Sequence, residues 1–250
     1  EARREFFPAS ALRGPWLALL QNHPSVGLEL YFKIFNHSID WYVHPRVPDR
    51  LEPATEVEMT FADGSSHKQW VNTRLWQSYR GTQVSPYALQ SMLMALERWL
   101  LDVAQAHPEH LDGILLRILR SSKNASLSAV AASVSIAHPR SAGETLLALL
   151  TVPEFIQIDR GRMATESQAA GLNQVYRRER DASNELPHRR CDLEWAIANL
   201  QLGQLAPRVH AILDRHLSEL SMGPERDHAQ LVWKLALQRM DLRQYDVVDA

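Results

Sequence analysis

PEHLDGILLRILRSSKNASLSAVAASVSIAHPRSAGETLLALLTVP, residues 108–153, is the stretch on which the fold class turns. Leu111, Ile114, Leu115, Ile118 and Leu119 fall at spacings of three and four, so they line one stripe of a helix that Pro108 opens and that ends near Ser121. Residues 124–137 contain only Asn, Ala, Ser, Val, Leu and Ile, with no charge to keep in water. That composition predicts a helix buried against neighbours on several sides. Residues 142–151 give a short Leu-rich helix that stops before Pro153, because the residue preceding a proline disfavours the helical region.

The same periodicity extends outward in both directions. Within 25–43, Leu28, Tyr31, Phe32, Phe35, Ile39 and Tyr42 form one stripe. Ser85 and Pro86 read as an N-cap and first-turn pair for a helix whose Leu89, Leu93, Leu96, Leu100 and Val103 face inward, with Gln90, Glu97, Arg98 and Asp102 largely off that side. Towards the C-terminus, Leu193, Ala196, Ile197 and Leu200 make one stripe and Val209, Ile212, Leu213, Leu217 and Leu220 the next. A last helix, opened by Gly223 and Pro224, runs from about Asp227 to Met240. Residues 56–72 depart from the pattern. Val57, Met59 and Phe61 alternate with polar neighbours, Asp63 and Gly64 supply turn chemistry, and Trp70 and Val71 come next in a second extended segment, which predicts a β-hairpin. Residues 160–185 are polar and rich in Arg, Gln and Glu, and read either as a solvated helix or as a connection.

The predicted fold is therefore all-α, built of stacked helical pairs in the manner of a HEAT or TPR solenoid, with one small β-hairpin insertion. Its parts are an N-terminal helical pair and Pro-rich connection (1–54), the hairpin (55–73), a helical array (74–159), the Arg-rich interval (160–187) and C-terminal helices (188–250).

With 250 residues, 45% of them hydrophobic, the chain can bury a substantial core. The formal charge of -2 gives no global field that would favour nucleic acid or an anionic membrane. A single cysteine, Cys191, excludes an internal disulfide, and with no apolar run long enough to span a bilayer the expectation is a cytoplasmic protein. The N-terminus has neither an initiator Met nor a signal-like apolar region, which suggests a piece of a longer chain.

The dipeptide His-Pro occurs at 23–24, 44–45, 107–108 and 138–139, each time at a predicted helix boundary. The longer string Ala-His-Pro recurs at 106–108 and 137–139, a separation close to one helical-pair repeat. Pro ends one helix and starts the next, and a His in the last turn can satisfy terminal carbonyls. With the run Ile114 to Leu119, a Ser/Asn turn, the Ala-rich second helix and Thr145 to Leu150, residues 111–150 resemble a HEAT-type repeat. Phe7-Pro8-Ala9-Ser10-Ala11 leading to Gly14-Pro15-Trp16, the stretch from Asn36-His37 to His44-Pro45-Arg46, and Met240-Asp241-Leu242-Arg243 resemble segments in the helical regions of very large bacterial ATP-binding proteins. Some of those are anti-phage defence NTPases of the STAND type, whose helical arrays sense a target or join protomers. The resemblance implies a non-catalytic helical part of such a protein. Any ATP would be held elsewhere in the parent, since these residues contain no Gly-x-x-x-x-Gly-Lys-Ser/Thr phosphate loop.

Three constellations offer chemistry. His37, Asp40 and His44 share a helical face opposite the apolar stripe, where a carboxylate between two imidazoles could perform acid–base work or bind a divalent ion; a solvated polar face is the simpler reading. His188 and Cys191, with His210 and His216, can be drawn as a zinc site but lack the paired ligands that structural zinc uses. Arg177, Arg178, Arg180, Arg189 and Arg190 form the one dense basic region and could contact phosphates, although Glu179, Asp181 and Glu185 interleave them and favour a salt-bridged surface. No catalytic residue, resident metal or cofactor is assigned. The expected partner is another protein or a second copy of the chain, with no membrane and with nucleic acid disfavoured.

Overall fold

The computed structural model describes residues 6–44, 52–78, 86–168, 182–183, 185–221 and 228–245. The α-helices are α1 (Trp16–Asn22), α2 (Pro24–Val43), α3 (Thr73–Trp76), α4 (Tyr87–Ala106), α5 (Pro108–Ser121), α6 (Ala125–Ala137), α7 (Gly143–Leu150), α8 (Pro153–Gln168), α9 (Leu193–Leu200), α10 (Ala206–Ser221) and α11 (His228–Met240). An antiparallel hairpin of β1 (Thr55–Thr60) and β2 (Ser66–Val71) is the single sheet among the described residues. The fold is thus mostly α-helical with one small β-hairpin, as the periodicity predicts.

Helix α6 sits at the centre. Every residue from Ala125 to Ile136 is buried, and the helix packs against α3, α4, α5, α7, α9 and β2. Sequence neighbours do pack together, but α6 also meets elements far away in the chain, which contact between adjacent repeats alone would not require. Its small side chains allow close approach, and its hydroxyls find partners. Ser126 donates to the Leu75 carbonyl at 2.8 Å, Ser128 to Gln69 Oε1 at 2.6 Å and Ser133 to Glu97 Oε1 at 2.7 Å.

The hairpin turns at Phe61 to Ser65, where Asp63 accepts from the Ser65 amide at 3.0 Å and Gly64 takes a positive φ of 79° that a side chain would strain. Val57, Met59 and Phe61 face the core, as alternation predicts. On β2 the inward residues are Val71 and Gln69, whose amide donates to the Leu119 carbonyl at 2.8 Å.

The His-Pro junctions share one backbone geometry. His23, His107 and His138 each end one helix and precede the next, with φ/ψ of -139°/62°, -143°/61° and -132°/58°, and His44 closes α2 at -119°/59°. Proline excludes the helical region for the residue before it, so the chain turns there whatever the imidazole does. None of the first three imidazoles caps the helix it precedes; the junction is made by the backbone.

The structure departs from the periodicity at two points on α4. The helix begins at Tyr87 with Pro86 as its cap residue, because a ψ of 125° at Pro86 is extended; Ser85 lies outside the described residues. Gln90 and Glu97, expected off the inner stripe, are buried, since α4 is covered on more than one side. The polar interval also resolves in part: α8 continues as a helix to residue 168.

Asp112 of α5 caps α7 from outside, accepting from the amides of Glu144 at 3.0 Å and Thr145 at 2.9 Å and from the Thr145 hydroxyl at 2.6 Å. Asp112→Ala should therefore lower stability by about 1–2 kcal/mol in urea denaturation, and an unchanged midpoint would show the cap to be dispensable. At the C-terminal end, Arg243 donates to Asp241 and to Asp214 of α10. Hydrogen bonds from Arg243 hold both carboxyls below their ordinary 3.8. Because these folded-state values are depressed, the stabilisation is complete above the ordinary carboxylate range and is lost as pH falls below it. Arg243→Met should flatten the acid limb of the stability profile below the ordinary carboxylate value of 3.8, read as the urea midpoint at each pH.

Candidate functional site

His37 and Asp40 are exposed on the outer face of α2, and His44 is exposed at its end. Among the described residues, no three His, Cys, Asp or Glu side chains are arranged to hold a metal ion. Three residues of the drawn zinc site, His210, His216 and Cys191, have separate partners. His216 Nε2 lies 2.9 Å from the Leu150 carbonyl, His210 Nε2 lies 3.1 Å from Gln201 Oε1, and Cys191 Sγ lies 3.8 Å from the Pro187 carbonyl. Burial pushes the Cys191 thiol up, away from the reactive thiolate.

The basic region divides. Arg177, Arg178 and Arg180 lie outside the described residues, Arg190 is exposed, and Arg189 is buried with 4% of its surface accessible. Arg189 is therefore a core residue rather than a surface phosphate contact.

What surrounds it is a line of charge inside the protein. From α8, Asp159 accepts from Trp76 Nε1 at 3.0 Å, from Arg162 Nε at 2.6 Å and, through its other oxygen, from the Leu193 amide at 3.0 Å. Arg162, 1% exposed, also donates to Glu166 at 2.9 Å and to the Cys191 carbonyl at 2.8 Å. Arg189 then bonds to Glu97 of α4 and to Ser133 Oγ at 3.2 Å, with Glu166 at 3.9 Å. Asp192, the cap of α9, borders the line, and burial raises its carboxyl above the usual value. Two guanidiniums thus join three buried carboxylates. Each carboxylate is held by a cation, so the arrangement fixes chain segments in place rather than presenting a free general base.

No protein-family model matches the chain, and no curated protein does.

Sequence reasoning missed this cluster because it read 160–185 as either a solvated helix or a connection, neither of which buries charge. The signal was in the spacing: Phe155, Asp159, Arg162 and Glu166 recur at four, three and four, so the polar row continues the apolar stripe of the same helix. A composition average over the interval conceals it.

A second feature lies on the surface. Helix α11 buries Trp233, Ala236, Leu237 and Met240, yet Leu231, Val232 and Leu235 on its other side are 57%, 42% and 47% exposed. Nearby in the fold, α9 packs on α11 and carries the exposed Trp195. Glu194 accepts from both Arg160 and Arg239, tying α8, α9 and α11 together beside that face.

The cluster predicts a large effect from removing one charge. Arg162→Met leaves Asp159 and Glu166 buried without their main cation and should cost about 3–5 kcal/mol in urea denaturation. A loss within about 0.5 kcal/mol, the range of an ordinary surface substitution, would mean that the carboxylates rehydrate without disturbing the core.

Proposed function

We propose that this chain is a non-catalytic helical segment through which copies of a larger protein assemble, docking by the outer face of α11. The observation that carries the reading is the exposed row Leu231, Val232 and Leu235 on a helix whose opposite side is already buried. An end element facing only water is ordinarily polar on its outside, and an apolar row there marks a surface made to be covered. Three side chains bury far less than the roughly 800 Å² per partner of a stable interface. The contact therefore extends beyond α11 over neighbouring surface of the same chain, where α9 carries the exposed Trp195. The resemblance of 7–16, 36–46 and 240–243 to large bacterial ATP-binding proteins, some of them of anti-phage defence, supports this setting. In it, ATP belongs to another part of the parent protein. The single cysteine favours a cytoplasmic location. No described helix is long and apolar enough to cross a membrane.

Sedimentation velocity over a concentration series tests the proposal. The wild-type chain should show reversible self-association within about 1–100 μM, and the paired change Leu231→Asp and Leu235→Asp should abolish it while leaving the thermal transition unchanged. A wild-type chain that stays monomeric throughout, or a double variant that associates equally well, overturns it.

A further inference from the structure

Residues 185–192, which lead into α9, are held down mainly by charge rather than by apolar burial. In the 3-10 turn Pro187–Arg190, the buried residues are His188 and Arg189, while Pro187 and Arg190 are exposed and Leu186 and Cys191 only partly covered. Cys191 packs against the edge of the hydrophobic core, and the other anchors are polar. The Arg189 guanidinium reaches Glu97 on α4 and Ser133 on α6, the Cys191 carbonyl accepts from Arg162 on α8 at 2.8 Å, and the Leu193 amide at its far end donates to Asp159 at 3.0 Å. Within the turn, the Arg189 amide bonds to the Leu186 carbonyl at 3.0 Å and the Cys191 amide to the His188 carbonyl at 3.2 Å.

We propose that residues 185–192 form a strap, latched over α6 by the Arg189 guanidinium, that opens as a unit while the helices beneath stay folded. Lifting an apolar strap would expose hydrocarbon to water and is opposed by the hydrophobic effect. Lifting this one returns a guanidinium and its carboxylates to water, which recovers the solvation that burial had removed. Ordering the strap costs conformational entropy with little apolar area to offset it. Helix α6 is in the opposite position. Its residues are covered on all sides and can be uncovered only by dismantling the core. At its distal end the strap stops at α9, whose Leu193, Ala196 and Ile197 are buried against the core and act as the fixed hinge side. Opening uncovers Ser133 and Glu97, a polar floor that the closed structure hides. This proposal does not depend on the assembly reading, because the strap and the outer face of α11 involve different residues.

Native-state hydrogen exchange on the wild-type chain provides the first test. The Arg189 and Cys191 amides should exchange at least about 100-fold faster than those of 127–136, at a rate that does not respond to low urea, as local opening requires. Thiol labelling provides the second. In a Cys191→Ser background, Ser133→Cys places a thiol beneath the strap, and Ser128→Cys places one on the same helix beneath Gln69. Labelling by a neutral disulfide reagent should be at least about 100-fold faster at 133 than at 128, and Arg189→Met should accelerate it at 133 alone. Strap and helix amides that exchange together, with the same steep urea dependence, overturn the proposal even if a thiol variant fails to fold. Equal labelling at the two positions overturns it as well.

Discussion

The absence of charge along Ala125–Ala137 is the constraint on which the rest of the structure depends. A helix with nothing to keep in water can be enclosed completely, provided that its hydroxyls are not left bare. Ser126, Ser128 and Ser133 meet that condition by bonding to three different elements: the backbone of α3, Gln69 of the hairpin and Glu97 of α4. The polar atoms of the central helix thereby specify which elements surround it, while its alanines set how closely they approach. Apolar contact alone would fill the same space with far less discrimination between registers.

Around that helix the chain must reverse direction repeatedly without leaving helix ends unsatisfied. The His-Pro junction does this in one residue. At His23, His107 and His138 the amide still closes the last turn of the preceding helix, bonding to Leu19, Val103 and Val134 at 2.8, 2.7 and 3.0 Å, while the proline after it begins the next element. The near-identical ψ values show that the proline, not the imidazole, dictates the geometry. The histidines therefore belong to the architecture, and their recurrence in the sequence is a record of helix boundaries.

Features set by local spacing were legible in the sequence. The stripe in α5, the uncharged α6, the stop at Pro153 and the alternation of β1 all arise from side-chain periodicity and backbone restriction, which act over a few residues. Burial of charge was not legible, because it depends on which elements meet. Glu97 looks like an outward residue on α4 until α6 and the 187–190 turn cover it, and Arg189 reads as one of a basic run until Glu97 receives it. Only the row Phe155, Asp159, Arg162 and Glu166 carried a local trace, and it was masked by the polarity of the residues beyond it. The apolar outside of α11 had a similar trace: Leu231, Val232 and Leu235 share the helix with Trp233, Ala236 and Leu237, more apolar surface than one stripe can bury.

The two kinds of interior divide the molecule by how it resists opening. Contacts made by hydrocarbon weaken only when area is exposed, so α6 and its neighbours stand or fall together. Contacts made by ion pairs exchange one set of strong partners for another when water enters, so their net contribution is small although their geometry is demanding. Placing five charged side chains where α4, α6 and α8 meet the 187–192 segment thus gives that segment a unique seat without making it part of the cooperative core. A row of leucines there would have held it more firmly and accepted it in more than one register. The cluster trades strength of attachment for definition of position, which is the property required of a segment that has to return to the same place.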